Sequence, residues 1–313
     1  MRMIVTLTMN PAVDKTAVLD LVELGGTNRL EQIRMDAAGK GINVSRALSS
    51  QGVPSLAVGL VAGREGQFII DELESRGIKT KFTWCRKGHT RVNLKVYEQA
   101  SGRTTELNEP GPEVGAYELE ELWRSLEEVL PHTELLICSG SLPPGAAPSF
   151  YRELIDYSHE RGVQVFFDAS GQALLEGVKA KPYFIKPNQE EAELLLGRGI
   201  SHPREVKAVR EQLDQLAVPV IVLSFGAEGA VFCSQGEELL WAKAEAREVQ
   251  SSTGCGDALV AAFAAAWSQG KPWAEVVRWS TATGTAAAEL PGTSFPDIDQ
   301  ITELVPRVRL ESL

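Results

Sequence analysis

The segment 252–257, Ser-Thr-Gly-Cys-Gly-Asp, places two glycines and a carboxylate directly before an alanine-rich stretch with the pattern of a helix. Free N–H groups at a helix start attract phosphate together with the positive end of the helix dipole, and glycine lets the backbone approach closely. A carboxylate at Asp257 would repel a resting phosphate, so it indicates a base that takes a proton from an attacking hydroxyl. The segment therefore predicts phosphoryl transfer to an alcohol, with Asp257 as the catalytic base.

The same segment also has a structural interpretation, because an aspartate near a helix start commonly caps the first-turn amides. Catalysis would instead use the backbone N–H groups of Gly254, Cys255 and Gly256 to stabilise the transferred phosphoryl. Cys255 carries a second alternative: a thiol at a helix N-terminus can be acidified, whereas a small residue in a turn needs no reactivity, and we favour the small residue. Other parts of the chain have to decide between capping and catalysis.

Composition narrows the classes of protein. The chain has 313 residues, 43% of them hydrophobic, and a net charge of -11, which suits one large α/β domain over residues 1–313. The acidic balance argues against nucleic acid as a partner. The four cysteines and four histidines lack the spacing of a disulfide framework or a zinc site. No signal peptide or membrane-spanning run is evident, so we expect a cytoplasmic protein without a membrane partner.

Short apolar runs alternate with helical patterns along most of the chain. The runs fall at 4–7, 56–61, 135–138, 163–167, 183–185 and 220–223, and the helical patterns near 42–51, 66–76, 117–130, 149–161, 188–196 and 203–216. Such alternation predicts a mostly parallel sheet with helices on both faces, which is a three-layer α/β/α arrangement. Ligands of such folds bind at the carboxyl edge of the sheet, and Asp14 follows the first run closely enough to lie there.

Two parts of the chain, about 12–36 and 90–108, alternate apolar and polar residues and depart from this rhythm. The second part has a turn at 99–102, and the two together predict a small antiparallel sheet that stands off the main domain. A sheet with one bare face is unstable alone, so it is expected to cover a ligand or to pair with a second copy. We expect a lid and a homodimer formed through it.

The segment 249–257 and the helix after it resemble the C-terminal signature of the ribokinase-like (PfkB) carbohydrate kinases. Further matching features occur in the family's order from Asn10 to Gly292, so the resemblance covers nearly the whole chain. It implies a ribokinase-like fold, an antiparallel β lid over the sugar, and ATP and Mg²⁺ as nucleotide and metal. The string 10–14, Asn-Pro-Ala-Val-Asp, resembles the opening of the 1-phosphofructokinase and tagatose-6-phosphate kinase branch.

The resemblance assigns the sugar to three motifs. Asp14 ends the opening string and would accept hydrogen bonds from sugar hydroxyls, although an aspartate in a turn has a structural role as well. Gly39 and Asn43 belong to a Gly-Lys-Gly-x-Asn turn, in which Ala38 stands where the family has a first glycine. Ser139 begins a Ser-Gly-Ser-Leu-Pro-Pro-Gly loop and would reach the substrate.

The phosphate already present on the sugar needs local cations in an acidic protein. Arg91 matches the Thr-Arg-x-Asn element of the phosphosugar branch, and a guanidinium binds phosphate in a planar fork. We predict that Arg91 binds this phosphate, with Lys40 as a helper and Arg29 as a weaker candidate. For Arg103 a solvated surface role is favoured.

The nucleotide and metal are assigned by two further strand-end loops. Asn188 and Glu191 stand three residues apart, which suits a helix cap, and they also match the family's Asn-x-x-Glu motif for Mg²⁺ held largely through water. Lys186 and Asp168 would assist there. The other loop resembles the family's nucleotide loop and contributes Ser224, Gly226 and Gly229. The small residues at 282–286 could lie beside adenine, although small residues more often indicate close helix packing.

These expectations amount to an ATP-dependent kinase of a phosphorylated sugar, with fructose 1-phosphate as the expected acceptor and tagatose 6-phosphate as the alternative. Two other classes stay open. A nucleotide-binding dehydrogenase is disfavoured because no Gly-x-Gly-x-x-Gly follows the first strand. A catalytically inactive sugar-phosphate sensor is disfavoured because Asp257, Asn188 and Glu191 are all present.

Overall fold

The computed structural model describes residues 3–313. Its strands are β1 Met3–Thr8, β2 Ala12–Leu19, β3 Gln32–Ala38, β4 Ser55–Val61, β5 Lys79–Trp84, β6 Arg91–Glu98, β7 Arg103–Asn108, β8 Thr133–Ser139, β9 Gln164–Asp168, β10 Phe184–Ile185, β11 Val220–Ser224, β12 Ala230–Ser234, β13 Leu240–Lys243 and β14 Arg309–Ser312. Its α-helices are α1 Lys40–Ser50, α2 Gly63–Ser75, α3 Ala116–Val129, α4 Phe150–His159, α5 Gly171–Val178, α6 Gln189–Leu196, α7 Arg210–Gln215, α8 Cys255–Ser268, α9 Trp273–Ala288 and α10 Ile298–Leu304. Short 3₁₀ turns occupy Leu130–His132, Pro203–Val209, Gly226–Glu228 and Val305–Arg307. No helix within 3–313 has the length and apolar content to cross a membrane.

The larger sheet has ten strands in the order β14-β13-β12-β11-β10-β9-β8-β1-β4-β5. Its strands are parallel from β5 to β11, and β12 to β14 extend the sheet in antiparallel fashion. The predicted, mostly parallel sheet is therefore confirmed, and each of the six apolar runs forms one of its parallel strands. Strand β5 and the antiparallel edge were not predicted, because these strands are polar or short and two of them lie at the edges of the sheet.

Alternate residues of each central strand pack on opposite faces of the larger sheet. Phe167 joins a core with helices α3 to α5, whereas Phe166 joins a second core with α8, α9 and α10. Helix α8 is rich in alanine because it is buried along most of its length against α9. At Gly284 on α9, an added Cβ would lie 3.3 Å from the carbonyl oxygen of Cys255. The two helices thus fix the backbone at the start of α8.

The smaller sheet has the order β3-β2-β6-β7. Both of its hairpins, β2 with β3 and β6 with β7, are antiparallel as predicted. The hairpins join through a parallel pairing of β2 and β6, in which Asp14 is in register with Asn93. Sequence patterns indicated each hairpin but not this junction, because it joins segments about 80 residues apart.

The register gives the smaller sheet two different faces, since side chains alternate along a strand. We call the face that carries Asp14, Arg91, Asn93 and Lys95 the inner face. The inner face also carries Arg34, which donates to the carbonyl of Pro291 (3.2 Å) in the main domain. The opposite, outer face presents Ile33 and Met35 from β3 and Leu107 from β7, and these side chains are exposed.

Candidate active site

Helix α8 begins at Gly254, which adopts a left-handed conformation with φ of 81°. A Cβ at this position would press on Thr293 (3.2 Å), so a glycine is required both for its conformation and for space. Among the described residues, no side chain caps the start of this helix. Asp257 therefore does not cap the helix. It lies buried in the first turn, and its carboxylate has another partner.

That partner is Asn43, whose Nδ2 donates to Asp257 Oδ2 at 2.8 Å. Asn43 lies in the first turn of α1, which begins after Gly39 with φ of 119°. An added Cβ at Gly39 would lie 2.9 Å from Thr8 Cγ2, so only glycine lets α1 start this close to the end of β1. The N-termini of α1 and α8 thus meet at the carboxyl edge of the larger sheet.

Burial raises the pKa of Asp257 to about 6, and Asp168 contributes in the same direction. Lys40, Asn43 and Lys186 act against this rise. A carboxylate whose pKa lies near neutrality suits a general base, because it is ionised at working pH and still binds a proton effectively. The electrostatics of the site therefore fit a base at Asp257.

Asp168, at the end of β9, holds two ammonium groups beside this base. Lys40 Nζ lies 3.0 Å from Asp168 Oδ1, and Lys186 Nζ lies 3.5 Å from Oδ2. Burial by itself would raise the pKa of Asp168, but the two lysines outweigh it and lower that pKa. Although burial opposes it, the carboxylates of Asp168, Asp257 and Glu191 raise the pKa of Lys40. Lys40 therefore stays charged near the start of α8.

Lys186 closely approaches the glycine turn itself. An added Cβ at Gly256 would lie 3.1 Å from Lys186 Nζ, so the ammonium lies against the first turn of α8. Cys255 is half-buried in the same turn, and burial, with Asp257, raises the pKa of its thiol to about 11. The alternative of an acidified thiol is therefore wrong, and Cys255 is a small, protonated residue, because burial and a nearby carboxylate outweigh the helix dipole.

The inner face of the smaller sheet holds Asp14 and Arg91 in different ways. Asp14 Oδ1 accepts from Asn93 Nδ2 at 3.0 Å, and Asp14 Oδ2 lies 2.6 Å from Lys95 Nζ. Arg91 donates through Nε and Nη2 to the carbonyl of Asn10 at 3.2 and 3.1 Å. Burial lowers the pKa of Arg91, although Asp14 counteracts this. Within 3–313, no carboxylate forms an ion pair with Arg91, so its charge is available to an anion.

Five side chains in or next to the predicted sugar and phosphate motifs carry a buried polar atom that has no hydrogen-bond partner within the described part of the chain. They are Thr8 Oγ1, Asn10 Oδ1, Asn43 Oδ1, Asn93 Oδ1 and Ser139 Oγ. Such atoms are rare in native interiors and call for a ligand or water. Thr8, Asn10, Asn93 and Lys95 were missed as candidate residues by sequence reasoning, although three of them lie in or next to the motifs that identified Asp14 and Arg91.

The remaining cationic candidates lie elsewhere. Arg103 is exposed and forms an ion pair with Glu98 at 3.0 Å, at the opposite end of β6 from Arg91. Arg29 is exposed in the connection between β2 and β3. Arg103 thus has the solvated surface position that its sequence context favoured.

Asn188 and Glu191 form a reciprocal cap at the start of α6. Asn188 Oδ1 accepts from the Glu191 backbone N–H at 2.8 Å, and Glu191 Oε2 accepts from the Asn188 backbone N–H at 3.0 Å. The prediction that this pair caps a helix is therefore confirmed. It leaves Glu191 Oε1 outside the cap, and Glu191 is close enough to Lys40 to act on its pKa.

The chain was next compared with known proteins. The model of the pfkB family carbohydrate kinases matches residues 7–300. The chain belongs to this family. A 1-phosphofructokinase of Vibrio cholerae is 32% identical over 311 residues, which cover 99% of this chain and 97% of that protein. A tagatose-6-phosphate kinase of Staphylococcus epidermidis is also 32% identical over 311 residues, covering 98% of this chain and 99% of that protein.

A solved structure of phosphofructokinase-2 from Escherichia coli superposes on this pfkB kinase with a TM-score of 0.91 and 28% identity, covering 97% of this chain and 98% of that chain. The ribokinase-like fold and the family expected from the sequence are therefore confirmed. As a pfkB carbohydrate kinase, the protein is a phosphotransferase that acts on a hydroxyl group, with ATP as the substrate that the family implies.

The strand-end loop after β11 brings the remaining predicted residues of this pfkB kinase together. Ser224 forms an isolated parallel bridge with Asn188, which links the loop to the cap of α6. Gly226 and Gly229 have φ of 58° and 80°, and an added Cβ at Gly229 would collide with the carbonyl of Ala242. The loop therefore turns sharply over the sheet edge with its backbone exposed to an approaching group.

Proposed function

We propose that this pfkB kinase transfers the γ-phosphoryl group of ATP to the free primary hydroxyl of a sugar phosphate, with fructose 1-phosphate as the acceptor. The observation that carries the proposal is the buried Asp257 carboxylate, which has a pKa raised to about 6, is held by Asn43, and lies in the first turn of a helix that starts with a left-handed glycine. A base and an anion-binding helix start are thus combined in one turn of chain.

In the proposed step, Asp257 accepts the proton of the acceptor hydroxyl as its oxygen forms a bond to the γ-phosphorus and the bond to the leaving ADP oxygen breaks. The backbone N–H groups of Gly254, Cys255 and Gly256 would stabilise the charge on the transferred group. Lys40 and Lys186 support this assignment, because Asp168 keeps both ammonium groups close to the base. We therefore propose that Lys40 acts on the transferred phosphoryl group and not, as its motif suggested, on the resident phosphate of the sugar.

The acceptor would be oriented by Asp14, Gly39, Asn43 and Ser139, with its resident phosphate on Arg91. Two observations support this. The orphaned buried atoms of Asn43 and Ser139 need polar partners, which the hydroxyls of a sugar supply. The guanidinium of Arg91 donates to the carbonyls of Asn10 and Glu109, and no carboxylate among residues 3–313 pairs with it, which leaves its charge for a phosphate.

The nucleotide would lie along Lys186, Asn188, Ser224, Gly226 and Gly229. Residues 3–313 bring together no group of three or more His, Cys, Asp or Glu side chains that could hold a metal by themselves. The free Glu191 Oε1 beside Asn188 fits Mg²⁺, which keeps several waters and takes one or two carboxylates together with phosphate oxygens. Bound there, Mg²⁺ would neutralise charge on the triphosphate.

The decisive experiment is an ADP-release assay with fructose 1-phosphate, tagatose 6-phosphate, fructose 6-phosphate and unphosphorylated fructose. The highest kcat/KM is expected for fructose 1-phosphate. Tagatose 6-phosphate is the second candidate, because its kinase from Staphylococcus epidermidis is as similar to this chain as the 1-phosphofructokinase. Binding of a sugar phosphate without turnover would instead support the inactive sensor, and reduction of a nicotinamide without ATP would support the dehydrogenase.

We further propose that residues 1–313 form one kinase domain, with 12–36 and 90–108 as its lid, and that two copies pair through the outer face of the lid. On this face, Ile33, Met35 and Leu107 are 55%, 47% and 58% exposed, and Leu94 and Val96 are half-buried between them. Contiguous apolar patches of this kind on a soluble protein commonly mark an interface. Val13 and Ala37 of the same face are already covered by helix α2 of the main domain, so the apolar area left for a second copy is the part around Ile33, Met35 and Leu107.

A further inference from the structure

Lys95 is a buried lysine that the proposed phosphoryl transfer does not use. It lies on β6, and its side chain and that of Asp14 are 10% and 7% exposed. Lysine is almost never buried to this degree unless it is paired. Its Nζ lies 2.6 Å from Asp14 Oδ2 but 3.9 Å from Glu106 Oε1, so Asp14 is its hydrogen-bonding partner.

The register of the smaller sheet explains this pairing. Asp14 on β2 is directly opposite Asn93, and Lys95 follows two residues later on the same inner face. Asn93 therefore reaches Oδ1 of the carboxylate, and Lys95 reaches Oδ2. Each oxygen has one protein donor from the same strand, and this fixes the plane of the carboxylate. Since an ionised carboxylate has about four lone-pair sites, both oxygens can still accept from a ligand.

The two donors differ in what they contribute. Asn93 is neutral, whereas Lys95 brings the charge that compensates Asp14 inside a buried site. Removing one member of a buried ion pair leaves the other charge without compensation, and this costs far more than the net contribution of the pair. Arg91 is near enough to interact with the same carboxylate, but Lys95 is the cation in direct contact with Asp14.

We propose that Lys95 is a positioning residue for the acceptor, because it holds Asp14 in the orientation that accepts sugar hydroxyls and supplies the compensating charge. This inference rests on the proposed role of Asp14 in binding the sugar. It assigns Lys95 to the hydroxyls of the acceptor, acting through Asp14, and not to the resident phosphate, which belongs to Arg91.

The first test is Lys95→Met, which keeps the apolar stem and removes the charge. We expect kcat/KM to fall roughly 10²-fold for fructose 1-phosphate and for fructose alike, with the KM for ATP changed less than about twofold. The matched control is Lys81→Met, because Lys81 is partly exposed on β5 at the edge of the larger sheet, where it pairs with Glu128 and with no residue of the site. The control should change kcat/KM less than about twofold. A loss confined to the phosphorylated acceptor would overturn the proposal and place Lys95 on the phosphate.

A double-mutant cycle with Asp14→Asn separates positioning from a general structural role. If Lys95 acts through Asp14, the double variant should have about the same kcat/KM as Asp14→Asn alone. Multiplicative losses would overturn the proposal. This comparison does not require folded Lys95→Met: the double variant lacks both charges of the pair, and in Asp14→Asn the carboxylate of Glu106, 3.9 Å from Lys95 Nζ, still compensates the lysine. Wild-type protein that phosphorylates no sugar would contradict the proposed function, whereas active wild type and an equally active Lys95→Met would contradict only this inference.

Discussion

The base end of the site and the lid end differ in how their polar groups are held. At the base end, Asp257 and Asp168 are buried at the carboxyl edge of a ten-stranded sheet. Each contacts a side chain of helix α1, Asn43 for Asp257 and Lys40 for Asp168. At the lid end, the inner face belongs to a four-stranded sheet whose outer face exposes Ile33, Met35 and Leu107, and Arg91 donates only to backbone carbonyls among residues 3–313. The proposed base is thus held by the core of the main domain, whereas the proposed phosphate-binding cation is held by the smaller sheet.

The largest effect is expected at the base end. Asp257→Asn should lower kcat by at least about 10²-fold while ATP binding is retained, because the amide keeps the shape of the carboxylate but cannot accept the proton. Steady-state kinetics and nucleotide titration measure the two quantities. A near-normal kcat for Asp257→Asn would show that Asp257 is not the catalytic base.

A somewhat smaller and more selective effect is expected at the lid end. Arg91→Ala should reduce kcat/KM for fructose 1-phosphate by roughly 10²- to 10³-fold and should scarcely affect fructose, because only the former carries the phosphate. Arg91→Lys should recover part of the loss, since it keeps the charge without the planar fork. Arg103→Ala, on the same sheet but in an exposed pair with Glu98, is the control and should be close to wild type. Equal losses for both acceptors would mean that Arg91 supports the fold of the lid.

The pH dependence sharpens the contrast, because the base end contains the group with the raised pKa. Since the pKa of Asp257 is about 6, kcat/KM should fall about tenfold per pH unit below that value. The folded chain binds this proton more tightly than the unfolded chain, so this carboxyl lowers the free energy of unfolding as pH rises from about 4 through about 6. Above about pH 6 this decrease in the free energy of unfolding is complete.

Asp257→Asn removes this titration, so the stability of the variant relative to wild type should increase between pH 4.5 and pH 7.5. Denaturant unfolding of both proteins at the two pH values measures the difference in their free energies of unfolding. Titrating groups that behave alike in the two proteins do not contribute to this difference. A constant difference between variant and wild type would show that Asp257 does not titrate in this range.

The smallest effect on catalysis is expected from the outer face of the lid. Ile33→Glu should convert a homodimer into a monomer at micromolar concentration, because it buries a charge in an apolar interface, and should lower kcat/KM by roughly tenfold or less. Light scattering with and without substrate measures the state. Ile298→Glu on α10, which alters a similarly exposed isoleucine of the main domain, is the control. A wild-type protein that is monomeric under both conditions would refute the dimer.

Much of the fold could be predicted because its signals are local. Each central strand of the larger sheet is an apolar run, and each hairpin of the smaller sheet has its own alternating pattern. Two features could not be predicted, and each has a physical reason. Strand β5 is polar and lies at an edge of the sheet, so it has no apolar run. The parallel junction of β2 with β6 depends on packing between distant segments. For Cys255, the helix position indicated an acidic thiol as one alternative, but burial and Asp257 decided its pKa.

The sequence by itself determined the family, the helix start at Gly254 and the chemical types present at the strand ends, because glycines, carboxylates and amides at fixed spacings leave a local pattern. Only the tertiary structure decided which of them meet. Asn43 contacts Asp257 and Lys40 contacts Asp168, because α1, α8 and the end of β9 meet at one edge of the sheet. Lys95, which has no motif of its own, gains its partner solely from the register of β2 against β6, since hydrogen-bond contacts depend on distances that sequence spacing does not contain.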